Sequence, residues 1–409
     1  MTEILKRHTL NVFPALRYKN YRIFFYAQII SLTGHWMQTV AQGYLVFQIT
    51  HSAFMVGLME AIAQLPAMLL TLWGGVLADK FPKQNILKIT QLCQFLFASS
   101  LGILIISGHI NLISLGLLTF LLGIAKALDH PARISIITEL VEKKDLHAAT
   151  AMNMSTFNSA RIVGPAVAGW LIVAFGVGWA FLLNGIAFIA PFLAYNFIKF
   201  TPHISKPHPG TFQSIKDGLS YAGTHSVIRI LLLYLAIISI FGWSYTTILP
   251  VVAEHVFSQG AKGLGYLYSA AGAGSVLGAI SVSAYTKKFA GKKLILFGGL
   301  LYGAALILFS LTPNYYMALV FLFLTGFGIT TQNSTIQATI QHAVEDRFRG
   351  RVSSIQSLVL MGLHPVGSFQ IGTVAEHFGS QIAVRIGGVV LFISAILLFF
   401  KTPKSSLHK

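Results

Sequence analysis

The sequence has few charged residues, and acidic residues are especially scarce. Only 10% of its 409 residues are charged, with 12 Asp and Glu against 29 Lys and Arg, whereas 55% are hydrophobic. A water-soluble chain of this length needs more charge than this to cover its surface. The composition therefore excludes an ordinary soluble protein and indicates a chain whose solvent is the lipid bilayer.

Motifs that would identify an enzyme or a disulfide-bonded protein are also missing. Cys93 is the only cysteine, so no disulfide can form within the chain. The only Gly-Lys pair, within residues 290–294, lacks the flanking residues of a phosphate-binding loop. No His-x4-Asp, Gly-x-Ser-x-Gly or His-Glu-x-x-His pattern occurs, and the 14 histidines are scattered. The sequence therefore predicts no catalytic residue, no metal site, no cofactor and no enzymatic activity.

Long apolar runs recur along the whole chain. Each has about 20 residues, which is enough for a helix to cross roughly 30 Å of hydrocarbon. They predict an all-α integral membrane protein. The twelve predicted spans are residues 21–48, 53–78, 86–107, 111–130, 148–173, 177–197, 228–251, 263–285, 293–311, 315–338, 351–375 and 381–400.

The longest polar interruption, residues 199–229, follows the sixth span and contains three prolines. We therefore predict an N-terminal six-helix bundle at 1–198, a cytoplasmic linker at 199–227 and a C-terminal six-helix bundle at 228–409. A weak similarity links residues 138–150, which precede "GPAVAG", to residues 341–352, which precede "HPVG". Parallel six-helix repeats would produce such a similarity.

The basic residues are divided unequally between alternate loops. With both termini placed in the cytoplasm, only Lys262 and Arg385 fall in outer loops. Such a bias is the positive-inside pattern of membrane proteins. The formal net charge of +17 is therefore interpreted as an orientation signal and not as a nucleic-acid site.

Two segments resemble signatures of the major facilitator superfamily. "GGVLADKFPKQ" (74–84) resembles the signature between its second and third helices, although Pro82 replaces a glycine. "RIVGPAVAG" (161–169) resembles the fifth-helix signature of its drug–proton antiporters. Segments 34–50, 127–141 and 158–169 together resemble the bacterial exporters related to the enterobactin exporter. The resemblance covers nearly the whole chain and implies the twelve-helix fold of that superfamily.

The resemblance also implies gating roles. Asp79 is expected at the cytoplasmic edge, where it can pair with a basic residue or with the N-terminus of the eleventh helix near residues 349–354. Small residues in the fifth helix allow another helix to approach closely, and a proline permits bending. Simple helix packing is the alternative. The predicted gating residues are Gly75, Asp79, Lys80, Asp129, Arg133, Gly164, Pro165 and Gly169.

Polar side chains recur along the first span at spacings of three and four, so they share one face of a helix. A polar face within a spanning helix normally faces a bundle interior or a water-filled cavity. These residues are Gln28, Ser31, His35, Gln38, Thr39 and Gln42. In the superfamily the first, fourth, seventh and tenth helices line the cavity. The predicted substrate-binding residues are His35, Gln38, Gln42, Lys126, Asn158, Arg161, Trp243, Gln332 and His364.

Three ionisable residues lie deep within the spans, namely Glu60, Lys126 and Arg161. One acid against two bases leaves the N-terminal half electropositive. We expect Arg161, which keeps its proton, to favour an anionic or oxygen-rich solute; a structural ion pair or a helix cap is the alternative. Glu60 is the predicted proton-coupling residue, either beside Arg161 or facing it across the cavity.

Together these features predict a proton-coupled secondary transporter that works by alternating access. We expect it to act as a monomer in the bacterial inner membrane and to export a small molecule such as a siderophore. A multidrug efflux pump is the main alternative, and a lysophospholipid transporter is a third. A membrane-embedded enzyme would need a constellation that the sequence lacks, and no appended soluble domain supports a sensor.

Overall fold

The structure, a computed structural model, describes residues 13–198, 211–285, 291–345 and 348–401. These residues form long helices and contain no β-strand. A shorter helix, Thr211–Thr224, lies between the sixth and seventh long helices in the chain. The long helices are α1 (Lys19–Thr50), α2 (Ala53–Lys80), α3 (Lys83–Ile106), α4 (Leu112–Leu140), α5 (Leu146–Phe175), α6 (Val177–Phe197), α7 (Ser226–Val256), α8 (Gly260–Tyr285), α9 (Gly291–Leu311), α10 (Tyr315–Ala343), α11 (Arg349–Phe378) and α12 (Ser380–Lys401).

Ten helices of the described residues are long and apolar enough to cross a membrane. The other two, α1 and α8, have 32 and 26 residues. They are less apolar because α1 carries the polar side chains noted above and α8 is rich in glycine and serine. Both pack against helices of the ten. The predicted all-α membrane fold is therefore confirmed, although α4 continues to Leu140, well beyond the predicted end at 130.

The helix contacts repeat after six helices. In the first set α1 packs on α5 and α6, α2 on α4, and α3 on α4 and α6. In the second set α7 packs on α11 and α12, α8 on α10, and α9 on α10 and α12. The turns after α5 and α11 also match, since Gly176 and Gly379 have φ angles of 93° and 90°, which favour glycine. The weak sequence similarity therefore coincides with a structural repeat.

The linker between the two sets is described only in part. Residues 199–210 lie outside the described residues, and the domain boundaries at 198 and 228 remain predictions. The helix Thr211–Thr224 contacts the start of α11, where Arg351 donates a hydrogen bond to Asp217 (3.2 Å). This contact attaches the linker helix to the second set.

The two sets meet through α2 with α11 and through α5 with α8. We call the end of the molecule at residues 50–53 the far end, and the end at residues 80–83 the near end. A Cβ added to Gly57 would lie 2.7 Å from Cα of Gly372, and one added to Gly169 would lie 2.9 Å from the carbonyl oxygen of Ala261. Backbone therefore packs directly on backbone at these positions, and the far end is closed.

A carboxylate of the second set also contacts the first set at the far end. Glu376, near the end of α11, accepts hydrogen bonds from Ser52 Oγ (3.1 Å) and from the backbone N–H of Phe54 (3.0 Å). Ser52 in turn caps α2 by accepting from the backbone N–H of Met55 (3.1 Å). The first N–H groups of a helix lack intrahelical partners and carry partial positive charge, so a carboxylate is favourable here.

We expect Glu376→Gln to loosen the far end. The amide keeps the size of the side chain but removes its charge from the N-terminus of α2, which costs about 0.5–1 kcal/mol at an exposed site. The ratio of closed to open far ends should fall about two- to fivefold. Distances between spin labels at the far ends of α2 and α11 measure this ratio.

Glu142→Gln is the matched control, because Glu142 forms an exposed ion pair with Lys144 (2.7 Å) away from the contact between the sets. Identical distance distributions for the two variants would show that the glycine contacts alone close the far end.

Candidate functional site

Arg161 lies midway along α5, close to two indole rings. Its guanidinium carbon is 5.7 Å from the centre of the Trp36 ring on α1 and 5.4 Å from that of Trp243 on α7. Cation–π attraction stabilises a guanidinium near aromatic faces without neutralising its charge. Arg161 therefore contacts side chains of both sets of helices.

No carboxylate of the described residues lies within 4.0 Å of the Arg161 nitrogens. Other arginines do have such partners, since Arg133 lies 3.1 Å from Asp129 and Arg351 lies 3.2 Å from Asp217. A charge removed from water is unfavourable unless it is paired. The structural ion pair considered for Arg161 is thus absent from the described part of the chain.

Local features of α5 and α7 position the two indole rings. The helix α7 contains a π-turn at Ile238–Gly242, and the backbone N–H of Trp243 bonds to the Ile238 carbonyl (2.9 Å). Such turns are frequent at functional sites. On the other side, a Cβ added to Gly164 would lie 2.7 Å from Cβ of Trp36. The first glycine of the "GPAVAG" motif therefore provides the space for Trp36 beside Arg161.

A second basic group lies nearby on α4. Lys126 Nζ is 3.1 Å from His35 Nδ1 on α1, and because an ammonium only donates, the imidazole nitrogen accepts. Glu60 of α2 accepts from Gln64 (3.1 Å) and lies close enough for its charge to act on Lys126 and His364. The sequence analysis placed Glu60 either beside Arg161 or across the cavity from it. The helix α2 packs against α4 and α11, and the charges of Glu60 and Arg161 both act on Tyr268 of α8.

These side chains form one group, which we call the central cluster. The ring of Trp36 lies 5.8 Å from that of His35, and the ring of Trp243 lies 6.3 Å from that of His364. The predicted binding residue Asn158 lies half-buried about one turn before Arg161 on α5. The members of the central cluster are His35, Trp36, Glu60, Lys126, Arg161, Trp243 and His364.

A small pocket adjoins the central cluster on its far side. Pro250 in α7 has no N–H to offer to the carbonyl of Thr246 one turn earlier. That carbonyl instead accepts from the hydroxyl of Tyr268 on α8 (2.6 Å). The residues that line the pocket belong to α1, α2, α7 and α8, so the pocket lies where these four helices meet. Its polar lining is Thr39, Gln42, Glu60, Thr246, Thr247 and Tyr268.

Two predicted binding residues lie within a set rather than between the sets. Gln38 is 2% exposed and accepts a hydrogen bond from Asn184 of α6. Gln332 is fully buried and accepts from the hydroxyl of Tyr234 on α7 (2.9 Å). Gln28 likewise bonds to side chains of α4 and α6. The polar face of α1 therefore serves packing inside the first set as well as the central cluster.

The residues of "GPAVAG" contact two other helices. Gly164 adjoins α1, and Gly169 adjoins α8 of the second set. A Cβ added to Gly265 of α8 would lie 2.5 Å from the carbonyl oxygen of Pro165. The motif thus brings α1, α5 and α8 close together, as small residues do in membranes.

The other predicted gating residues have different surroundings. Asp129 is buried and accepts from Thr90 (3.0 Å), Gln91 (2.8 Å) and Arg133 (3.1 Å), all within the first set. These contacts stabilise α3 against α4 and do not reach the second set.

The near end of α2 carries the remaining gating predictions. A Cβ added to Gly75 would meet no atom within 4 Å, and Lys80 is exposed. The side chain of Asp79 lies outside the described side chains, so its contact with the start of α11 remains a prediction.

The sequence analysis missed Trp36 and Glu376. Trp36 directly follows His35, but the search for a helix face used the spacing of polar residues, and tryptophan was counted as apolar. Glu376 lies at a helix end, where a single acid usually indicates a solvated surface. Among the described residues, no three His, Cys, Asp or Glu side chains are grouped as metal ligands would be.

Comparison with known proteins agrees with this architecture. A family model described as "transmembrane secretion effector" matches residues 11–407. The staphyloferrin A transporter of Staphylococcus aureus is 25% identical over 389 residues, which cover 94% of this chain and 97% of that protein. An enterobactin exporter of Escherichia coli is 21% identical over 379 residues, covering 92% and 90%.

Solved structures show the same fold. A bacterial homologue of the human lysosomal transporter Spinster superposes with a TM-score of 0.76 at 15% identity, covering 95% of this chain and 98% of that one. A D-xylose–proton symporter gives a TM-score of 0.75 at 13% identity, covering 95% and 99%.

We expect cysteine substitution to separate the two roles of the α1 polar face. In a Cys93→Ala background, a maleimide should modify His35→Cys at least about tenfold faster than Gln38→Cys, because Gln38 is only 2% exposed and packs on α6. Intact-mass spectrometry over time gives both rates. Equal rates at the two positions would mean that His35 is packed inside the first set as well.

Proposed function

Because the chain belongs to the transmembrane secretion effector family of the major facilitator superfamily, we propose that it exports an anionic or oxygen-rich small molecule such as a siderophore. The family match over residues 11–407 and the twelve-helix fold make it a multi-pass membrane transporter and not an enzyme. The proposal concerns the substrate, the direction and the energy source.

Arg161 is the observation that carries the substrate class. Its positive charge lies in the middle of the membrane-spanning region, where the two sets of helices meet, and has no carboxylate partner among the described residues. The central cluster also contains the basic residue Lys126 and one acid, Glu60. A solute with negatively charged oxygens would supply the missing counter-charge, whereas a cationic drug would add to the repulsion.

The names of two relatives support the direction and the substrate. One relative is named for staphyloferrin A transport, the other for enterobactin export, and the family is described by secretion. A carboxylate- or catecholate-bearing siderophore has the oxygen-rich character that Arg161 favours. We therefore infer movement from the cytoplasm outwards.

The proposed mechanism is alternating access by one monomer in the bacterial inner membrane. With both termini in the cytoplasm, the far end faces outwards, in keeping with the few basic residues of its loops. The contacts of α2 with α11 and of α5 with α8 then close the outer side, and Glu376 adds a charged contact to that closure. Release of the solute requires these far-end contacts to separate.

Glu60 is the proposed proton-coupling residue. It lines the pocket between the two sets, and its charge acts on Lys126 of the first set and on His364 of the second. A change in its protonation therefore alters the electrostatic interaction between the sets. Such a change is what coupling of a proton gradient to alternating access requires.

We expect the purified protein in liposomes to move a catecholate or carboxylate siderophore without changing it chemically. Arg161→Lys keeps the charge but loses the planar fork of donors. The variant should transport the anionic solute with an apparent affinity lowered about tenfold, which corresponds to one lost charged hydrogen bond. Affinity for a neutral methyl ester of the same solute should change less than about twofold on the same grounds.

Arg385→Lys is the control, because Arg385 bonds to Ser310 inside the second set (3.3 Å). Transport of cationic drugs but of no anion by the wild-type protein would favour the multidrug alternative. Movement of lysophospholipid alone would favour the third possibility.

We expect Glu60→Gln to abolish transport driven by a pH gradient while leaving solute exchange at equal pH measurable. The amide cannot bind and release a proton, but it keeps the size of the side chain and its ability to form hydrogen bonds. Solute flux with and without an imposed gradient, in vesicles of equal protein content, separates the two activities. Glu142→Gln is the control for loss of an acid, and gradient-driven transport by Glu60→Gln at the wild-type rate would rule out the coupling role.

A further inference from the structure

Trp36 and Trp243 each bury an indole N–H that has no acceptor in the part of the chain that the structure describes. Neither Nε1 atom is accessible to solvent, and neither makes a hydrogen bond with any of the described residues. A buried donor without a partner is unfavourable, so such groups are uncommon in folded proteins. Of the fifteen buried side-chain atoms without a hydrogen bond among the described residues, two belong to the indole rings that lie within 6 Å of the same guanidinium carbon.

The hydrogen-bonding groups of Trp36, Arg161 and Trp243 are all donors, and the Tyr245 hydroxyl, which can donate and accept, lies close to Arg161. A guanidinium has five N–H groups and no acceptor, and an indole has one N–H and no acceptor. The rings lie near the Arg161 guanidinium, and no carboxylate of the described residues occupies its N–H groups. A complementary ligand must therefore bring negative charge and several acceptor oxygens close together in one plane, as carboxylates and catecholates do.

We propose that Trp36, Arg161 and Trp243 form a clamp that binds a planar oxyanion of the solute, with the two indole N–H groups as specificity determinants. The proposal rests on the anion export proposed above. It adds the residues that determine which head group of the solute is bound. A neutral ester keeps acceptor oxygens but lacks the charge, and a cation lacks both. The clamp therefore discriminates by charge and by geometry together.

The clamp also spans the contact between the two sets of helices. Trp36 belongs to α1 of the first set, Arg161 to α5, and Trp243 to α7 of the second set, so an anion bonded to both indoles links the two sets. The Trp36 side is set by the close approach of Gly164. The Trp243 side is set by the π-turn of α7, whose Gly242 lies against the Tyr302 hydroxyl. Both indoles are thus positioned by local features of their surroundings.

Tryptophan-to-phenylalanine variants test the clamp, because phenylalanine keeps an aromatic ring and removes only the N–H donor. The probes are 2,3-dihydroxybenzoate and its methyl ester, with binding to detergent-purified protein measured by equilibrium dialysis. Trp36→Phe and Trp243→Phe should each weaken binding of the carboxylate about tenfold, as expected for one hydrogen bond to a charged group. Binding of the ester should change less than about twofold. Trp170→Phe is the matched control, since Trp170 of α5 is 60% exposed.

A second measurement uses the wild-type protein and does not depend on the folding of a variant. The chain has 5 tryptophans, and Trp73, Trp170 and Trp179 are at least 40% exposed. In protein labelled with ¹⁵N-tryptophan, 2,3-dihydroxybenzoate should move two of the five indole N–H signals downfield. The two signals should be those missing from the spectra of Trp36→Phe and Trp243→Phe.

The outcomes separate the clamp from the proposed function. If the wild-type protein neither binds nor transports any anionic probe, the anion-export function fails and the clamp fails with it. If it binds the anion but the two indole signals stay in place, or if both Phe variants bind like Trp170→Phe, the clamp is wrong and the function stands. Equal losses for the acid and its ester would show that the rings act by packing alone.

Discussion

The guanidinium of Arg161 lies midway along a spanning helix without a carboxylate partner among the described residues, and this charge is the constraint on which the rest of the site depends. The two indole rings beside Arg161 make the charge tolerable, but they do not cancel it. Elsewhere in the described chain the arrangement is different, because Asp129 neutralises Arg133. The absence of compensation at Arg161 is therefore a local property and favours an anion that arrives from outside the chain.

The fold makes this arrangement possible by bringing three helices together at one level. Small residues of "GPAVAG" let α5 approach α1 on one side and α8 on the other. The irregular turn of α7 then brings Trp243 to the same guanidinium. Because α1 and α5 belong to one set and α7 and α8 to the other, the charge lies where the sets must move relative to each other. Recognition of the solute and movement of the helices are therefore physically linked.

Much of the fold could be predicted from the sequence, because hydropathy and loop charge are local properties. The twelve long helices follow from runs of residue type. The neighbours of a side chain depend on which helices pack together, and this packing cannot be read from local runs of residue type. Gln38 and Gln332 have the polarity of cavity residues but bond inside their own sets. Glu60 faces Lys126 and His364 because α2 packs on α4 and α11.

The most direct test is a structure of the protein with a bromine-labelled dihydroxybenzoate, in which anomalous scattering locates the ligand independently of its shape. We expect the bromine peak between α1, α5 and α7, with the carboxylate oxygens within hydrogen-bond distance of Arg161 and of the Trp36 and Trp243 indole nitrogens. A peak beside Lys126 and His35 with the Arg161 guanidinium unoccupied, or peaks only at lysines on the surface, would contradict anion recognition by Arg161.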